Sequence, residues 1–100
     1  MSDEPVTFVN VFDVEPAHQQ ALLDVLTAGA EEVIRHRPGF ESLTLLASLD
    51  GRRVVNVARW RRAEDARATQ ADPAAAAHAR RAAALATASP GLYRVAAEIA

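Results

Sequence analysis

Two side chains in the second half of the sequence, Asn56 and Trp60, have types and a spacing that could serve chemistry. They lie four residues apart in a largely apolar run. On a β-strand, residues i and i+4 project from the same face, about 13 Å apart. An asparagine in an apolar strand is unusual, because a buried amide needs hydrogen-bond partners. The plainer interpretation is that Asn56 bonds nearby backbone and that Trp60 is a large core residue.

A second asparagine, Asn10, occupies the same kind of position in the first apolar segment. It shares one face of a predicted strand with Phe8 and Phe12. If the first and third strands are neighbours, Asn10 and Asn56 can lie on one face of the sheet. Two amides and an indole N–H beside aromatic side chains would form a pocket for a polar aromatic molecule.

The histidines offer fewer possibilities. Glu15 and His18 have a spacing used in some metal sites, but a single copy near a helix start is weak evidence. Glu32 and His36 form an i, i+4 pair that is more typical of a surface ion pair. His78 lies in an alanine-rich segment and is the remaining candidate for a general base or axial ligand near the pocket. A lone histidine on a helix is more often structural or solvated, and we predict no metal site.

The hairpin is the clearest local signal among the elements that must position these residues. Asp50-Gly51 is a favoured pair for a two-residue type I′ turn. If Leu49 then pairs with Arg52, Leu45 lies directly opposite Asn56. This register predicts that Leu45 also faces the pocket.

The remaining elements follow from periodicity and from Pro and Gly positions. Asp72-Pro73 is typical of a helix start, and Pro90-Gly91 is expected to break the chain before the last strand. The predicted elements are a strand over Val6–Val14, a helix from Ala17 to about Arg35, strands over Phe40–Leu49 and Arg52–Trp60, a short helix over Ala63–Ala71, a helix from Ala74 to about Thr87, and a strand over Leu92–Ile99. This order is the β-α-β-β-α-β arrangement of the α+β ferredoxin-like fold, with an antiparallel sheet.

Composition excludes several classes of function. The 100 residues predict one domain over residues 1–100. The chain has no cysteine, which excludes disulfides, thiolate catalysis and cysteine-ligated metals. The formal net charge is -2, and no long basic run suggests nucleic-acid binding. No apolar run is long enough to span a bilayer, so we expect a cytoplasmic protein with no membrane or nucleic-acid partner.

The sequence resembles the antibiotic biosynthesis monooxygenase domain family over nearly its whole length. The most recognisable parts are Pro38-Gly39-Phe40 and the run from Asp50-Gly51 to Trp60. Asp72-Pro73 and Pro90-Gly91 continue in register. The order and spacing of these parts, rather than any one of them, carry the resemblance.

The resemblance implies a ferredoxin-like protomer that packs sheet on sheet as a homodimer, a dimeric α+β barrel. Within the family, the sequence is most similar to the oxygenases of aromatic polyketide tailoring. Those enzymes need no cofactor and convert anthrones or phenols to quinones with O2. In that branch, residues matching Asn56 and Trp60 are implicated in catalysis, as neutral donors able to stabilise an oxyanion. The substrate is a small aromatic molecule, and we predict that its other contacts come from Asn10, Phe8, Phe12, Leu45 and His78.

Some positions depart from the family pattern. A tyrosine of that branch is replaced here by Ala66, and an arginine of its later helix falls near Ala79, with Arg80 adjacent. A second branch, the small haem-degrading monooxygenases, uses an asparagine on the first strand, a tryptophan and a histidine. Asn10 and His78 match two of these, but Thr69 stands where that tryptophan would be. Haem degradation and a non-catalytic dimer that binds small molecules therefore stay as alternatives.

Overall fold

The structure, a computed structural model, describes residues 4–100, so Met1–Asp3 of the predicted single domain lie outside the described part. Its strands and α-helices are β1 (Val6–Val14), α1 (Gln19–Glu32), β2 (Phe40–Ala47), β3 (Arg53–Trp60), α2 (Ala63–Gln70), α3 (Pro73–Ala83) and β4 (Ala86–Tyr93). Short 3-10 turns at Pro16–His18 and Ile34–His36 flank α1. No helix in residues 4–100 is both long and apolar enough to cross a membrane.

The strands form one sheet in the order β2-β3-β1-β4, and every neighbouring pair is antiparallel. The helices lie against one face, which we call the helix-covered face; the other is the open face. This arrangement confirms the predicted α+β ferredoxin-like protomer. The second helical segment is divided at Asp72-Pro73 into α2 and α3, as predicted. The Asp72 carboxylate caps α3 by accepting from the backbone N–H groups of Ala74 and Ala75.

The hydrophobic core on the helix-covered face consists of two separate clusters. The first contains Phe12, Val14, Leu22, Val54 and Ala82. The second contains Ala58, Trp60 and Ala66, with partly buried side chains that include Phe8, Phe40 and Leu43 around them. The middle of the face, between the clusters, is where β1 and β3 carry Asn10 and Asn56.

The register of the hairpin is as predicted, but its turn is different. Leu45 pairs with Asn56 and Leu43 pairs with Ala58. The strands end at Ala47 and Arg53, however, so Leu49 and Arg52 do not pair as strand residues. A type I′ turn needs positive φ at both central residues, and only Gly51 has it (φ 78°).

The carboxylate of Asp50 explains this wider turn. Its Oδ1 accepts from the Ser48 hydroxyl at 2.8 Å and from the Arg52 backbone N–H at 3.0 Å. The Gly51 N–H also donates to the Ser48 carbonyl. These bonds form a closed five-residue loop, Ser48 to Arg52, because the aspartate satisfies the backbone from a negative-φ conformation.

The predicted C-terminal elements were wrong in their bounds. The helix predicted to reach Thr87 ends at Ala83, and the last strand is β4 rather than Leu92–Ile99. Pro90-Gly91 does not break the strand, because β4 is an edge strand that pairs with β1 alone. Proline is tolerated at such an edge. Residues 94–100 have no regular secondary structure.

Candidate functional site

Asn10 and Asn56 are directly opposite each other on the two central strands, and we call them the asparagine pair. Both project from the helix-covered face, as the sequence suggested. Directly opposed residues have Cβ atoms about 5 Å apart, so the two amides are close neighbours. On the outer strands, the residues beside the pair are Leu45 and Pro90.

The two amides differ in their hydrogen bonds. Oδ1 of Asn10 accepts from the backbone N–H of Ser89 at 3.1 Å, which ties this side chain to β4. Oδ1 of Asn56 is buried and has no partner, and it is the one such side-chain atom within residues 4–100. A buried polar atom without a partner costs about 1–3 kcal/mol. Asn56 therefore keeps unused hydrogen-bonding capacity at the centre of the sheet.

The predicted apolar contacts lie on either side of the asparagine pair. Phe12 is buried in the first cluster. Phe8 packs against the second cluster. Leu45 is half-buried and lies beside Asn56. The structure therefore brings these three side chains and the pair onto one face.

Trp60 is a core residue that stands at the end of this face. Only 3% of its surface is exposed, and its ring meets Phe40 edge to face, with centroids 5.7 Å apart. A bulge at Glu41 allows this contact, because it shifts the register so that Phe40 pairs with Trp60. Ala66 of α2, the residue at the family tyrosine position, is buried in the same cluster.

His78 lies at the contact between α1 and α3. A Cβ atom at Gly29 would be 3.0 Å from Cγ of His78, so the imidazole sits directly on the α1 backbone. Its Nδ1 is 2.7 Å from an Arg81 guanidinium nitrogen, and its Nε2 is 3.7 Å from Oε1 of Glu32. The ring nitrogens thus have charged neighbours on the helices, and a contact of His78 with substrate stays a prediction.

Two surface depressions of the described chain lie away from the asparagine pair. One, of about 280 Å³, is lined by residues that include Thr7, Arg59 and Arg94. The other, of about 460 Å³, lies near Asp13 and Arg52. Among residues 4–100, no three His, Asp or Glu side chains are grouped in a way that could hold a metal ion.

Sequence reasoning missed three contacts around these residues. The Ser89 N–H that orients Asn10 comes from a segment predicted to be a helix end or loop. Glu32 is predicted from its spacing to pair with His36, but its carboxylate lies 3.7 Å from Nε2 of His78. The contact of Arg81 with Nδ1 of His78 was not predicted. The spacing of Arg81, three residues after His78, was the signal available for one of these contacts.

Solved structures of known proteins resemble this fold closely. The monooxygenase ActVA-Orf6 of Streptomyces coelicolor, solved with nanaomycin D bound, superposes with a TM-score of 0.86 at 32% identity over 98% of this chain and 93% of its own. SnoaB of Streptomyces nogalater, described as a cofactor-independent oxygenase, gives a TM-score of 0.78 at 31% identity over 96% of this chain and 97% of its own. Rv0793 of Mycobacterium tuberculosis, at 22% identity and a TM-score of 0.81, shares the fold.

A curated relative agrees with these structures. Tetracenomycin-F1 monooxygenase of Streptomyces glaucescens is 50% identical over 72 residues, which are 72% of this chain and 64% of that protein. The matched part thus spans less than two thirds of the relative's length. The model of the antibiotic biosynthesis monooxygenase family matches residues 5–88. The chain therefore belongs to the antibiotic biosynthesis monooxygenase family.

Proposed function

We propose that this protein is a cofactor-independent monooxygenase that oxidises a polycyclic aromatic phenol or anthrone to a quinone with O2. The observation that carries the proposal is the unpartnered amide oxygen of Asn56, buried at the centre of the helix-covered face. Similarity to a tetracenomycin-F1 monooxygenase and to a cofactor-independent oxygenase supports the reaction class. The structure of ActVA-Orf6 solved with nanaomycin D bound supports a small aromatic ligand.

The reaction balances without a cofactor, because the substrate supplies all the electrons. Loss of a proton from the CH2 group of an anthrone leaves a carbanion whose charge spreads onto the ring oxygens. This anion passes one electron to O2, and the resulting radical pair joins to form a carbon–oxygen bond and, after proton uptake, a hydroperoxide. Cleavage of the O–O bond with loss of the second C–H proton gives the quinone carbonyl and water. Electron-rich substrates of this kind do not need a flavin or a metal as an electron carrier.

The protein's part is to bind the rings and stabilise the negative charge. The amide of Asn56 can donate from Nδ2 to an oxyanion or accept at Oδ1 from a phenolic hydroxyl. Asn10 is already oriented by Ser89 and supplies a second amide beside it. Trp60 lies about 13 Å along the strand from Asn56, a separation that suits a fused polycyclic molecule better than a single ring.

Binding of such a molecule requires the helix layer to move. Oδ1 of Asn56 is closed off from solvent, and the two described depressions lie elsewhere. Small side chains dominate α3, where Ala82 is the buried residue. Displacing a helix that presents alanines disrupts fewer side-chain contacts than displacing one that presents leucines. We therefore propose that α3 shifts to admit the substrate.

We also propose that the protein is a homodimer formed through the open face. Val9, Val11, Val55 and Val57 lie on this face, with Leu46 and Tyr93 more than half exposed beside them. A sheet face that meets water is usually polar, so this apolar face favours a second copy as its cover. The cytoplasmic location stays a prediction from the sequence.

The alternatives have less support. The Thr69 hydroxyl, at the position of the haem-branch tryptophan, donates to the Asp65 carbonyl and accepts from Arg37. Both ring nitrogens of His78 have charged neighbours, Arg81 at Nδ1 and Glu32 at Nε2, whereas an axial haem ligand needs a ring nitrogen free for the iron. A non-catalytic binding dimer would share the site and differ only in lacking turnover.

Oxygen uptake with an anthrone tests the proposed reaction. Purified protein treated with a chelator is mixed with dithranol, and O2 consumption and quinone absorbance are followed against buffer and heat-denatured protein. We expect uptake well above the buffer rate, one O2 per quinone, and no quinone under anaerobic conditions. Binding of the anthrone without uptake above buffer would contradict the proposal and favour the binding dimer. A Soret shift on adding haem, with haem breakdown, would favour the haem-degrading alternative.

A further inference from the structure

The position of the Trp60 ring depends on helix α2. The buried face of α2 consists of Ala63, Ala66 and Thr69. Ala66 packs in one cluster with Trp60, and the edge-to-face contact with Phe40 holds another part of the ring. A shift of α2 relative to the sheet therefore moves or exposes the indole.

Arg37 attaches α2 to the chain that enters β2. Its Nε donates to the Thr69 hydroxyl oxygen at 3.3 Å, and its Nη2 donates to the Ala68 carbonyl at 3.5 Å. Its Nη1 is 3.4 Å from Oδ1 of Asp72, the cap of α3. All three guanidinium nitrogens thus contact the corner between α2 and α3. A planar guanidinium with fixed donor directions suits such a three-point contact, and a lysine does not.

Gly39, two residues later, contacts the same helix one turn earlier. Its φ is 82°, and a side chain there would overlap the Asp65 carboxylate. Its carbonyl accepts from the Arg61 N–H at 2.8 Å, just before α2 begins. The next residue is Phe40, which contacts the Trp60 ring. One short segment therefore fixes both neighbours of the indole, α2 and Phe40.

We propose that Arg37 is a positioning residue for Trp60, acting through Thr69, Ala68 and Asp72 to hold α2 against the indole. The guanidinium of Arg37 acts on the ring indirectly, through the corner between α2 and α3. Its effect on turnover rests on the proposed function, whereas its effect on the ring rests on the geometry alone. No sequence pattern indicates this role, because the three partners of Arg37 lie 31, 32 and 35 residues further along the chain.

The fluorescence of Trp60 tests this proposal, because it is the only tryptophan in the chain. In Arg37→Met we expect emission at longer wavelength and stronger quenching by acrylamide, with far-ultraviolet circular dichroism unchanged. We expect kcat/KM with dithranol to fall about tenfold, mainly through kcat, since misplaced groups lose catalysis steeply. Arg35→Met, at an exposed position of the 3-10 turn that ends just before Arg37, is the matched control and should behave as wild type.

Two further variants make the result decisive. Thr69→Val removes the oxygen that accepts from Nε and should shift emission in the same direction by less. Arg37→Lys keeps the charge but cannot reach all three acceptors, so it should restore the emission only partly. Unchanged Trp60 emission in a folded Arg37→Met protein would overturn the proposal; if that variant fails to fold, unchanged emission in Thr69→Val would overturn it. If the wild-type protein does not oxidise the anthrone, the proposed function is contradicted. The fluorescence result would still decide whether Arg37 positions the Trp60 ring.

Discussion

At the scale of single residues, the two members of the asparagine pair differ in the hydrogen bonds of their amide oxygens. Asn10 is tied to the edge strand by the Ser89 N–H, next to Pro90, which has no N–H of its own to offer. Asn56, directly opposite, has a buried oxygen with no partner. A group kept at a cost to stability is expected where function needs it. The unpartnered oxygen is therefore our reason for placing the centre of the proposed site at Asn56.

This difference predicts opposite effects of one substitution on stability. In Asn56→Val the unpartnered amide is removed, so we expect the free energy of unfolding to rise by about 1 kcal/mol. In Asn10→Val the hydrogen bond from Ser89 is lost, so we expect the free energy of unfolding to fall by about 1 kcal/mol. Urea titration of the two variants and wild type measures both changes. Because both variants gain the same strand propensity, equal shifts or the reverse order would contradict the assignment.

At the scale of elements, the carboxylate of Asp50 stabilises a five-residue loop between β2 and β3 in place of the predicted two-residue turn. The backbone N–H of Arg52 and the hydroxyl of Ser48 hold the pKa of the Asp50 carboxyl below its ordinary value of 3.8. A group whose pKa is lower in the folded state stabilises the fold above its unfolded pKa. That contribution is lost as pH falls through the folded-state pKa.

Asp50→Asn should therefore change the pH dependence of stability. We expect the wild type to exceed the variant in free energy of unfolding at neutral pH, and the difference to shrink as pH falls below about 4. Urea unfolding from pH 7 down to pH 3 measures it. Leu49→Ala, at the fully exposed tip of the loop, is the control and should show no such trend. A difference that grows toward low pH would contradict the role of Asp50.

Several elements could be predicted from the sequence because local chemistry decides them. The Asp72 cap with Pro73 fixed the start of α3, and alternation on β3 fixed the faces of Asn56 and Trp60. The strand around Pro90 could not be predicted, because proline is acceptable there only when the strand lies at a sheet edge, and sheet order is not a local property. The predicted turn type was also wrong, because Asp50 accepts hydrogen bonds from residues on both sides of it, Ser48 and Arg52, and these bonds stabilise a wider loop.

Site contacts between distant segments were the least predictable. The bond from Ser89 to Asn10 joins residues 79 positions apart, and Arg37 reaches Thr69 across 32. Neither pair has a sequence pattern that indicates it. The register Asn10–Asn56 was foreseeable only through the fold, because the ferredoxin-like order makes β1 and β3 neighbours.

At the scale of the whole molecule, the two faces of the sheet differ in what covers them. The helix-covered face holds the two apolar clusters with the asparagine pair between them. The open face is apolar without a covering layer: 52% of Leu46 and 56% of Tyr93 are exposed. An apolar sheet face of this kind favours association with a second copy.

The proposed homodimer predicts a clear response to charge on the open face. Wild type should sediment at twice the 10.7 kDa of one chain. Val57→Arg places a charge between Val9 and Thr44 on that face and should give folded monomers, because burying an unpaired charge is costly. Leu49→Arg, on the loop tip outside the open face, should stay dimeric. Analytical ultracentrifugation decides; a monomeric wild type would contradict the dimer.

The central claim is that the amide of Asn56 stabilises the charge that develops on the substrate. Its most direct test is the rate of O2 uptake with dithranol by Asn56→Ala, compared with wild type and with Gln70→Ala, which removes an amide from an exposed position of α2. We predict that Asn56→Ala loses about 100-fold or more in kcat, as the loss of an oxyanion donor does, while Gln70→Ala keeps the wild-type rate. A folded Asn56→Ala protein that oxidises the anthrone as fast as wild type would contradict the account.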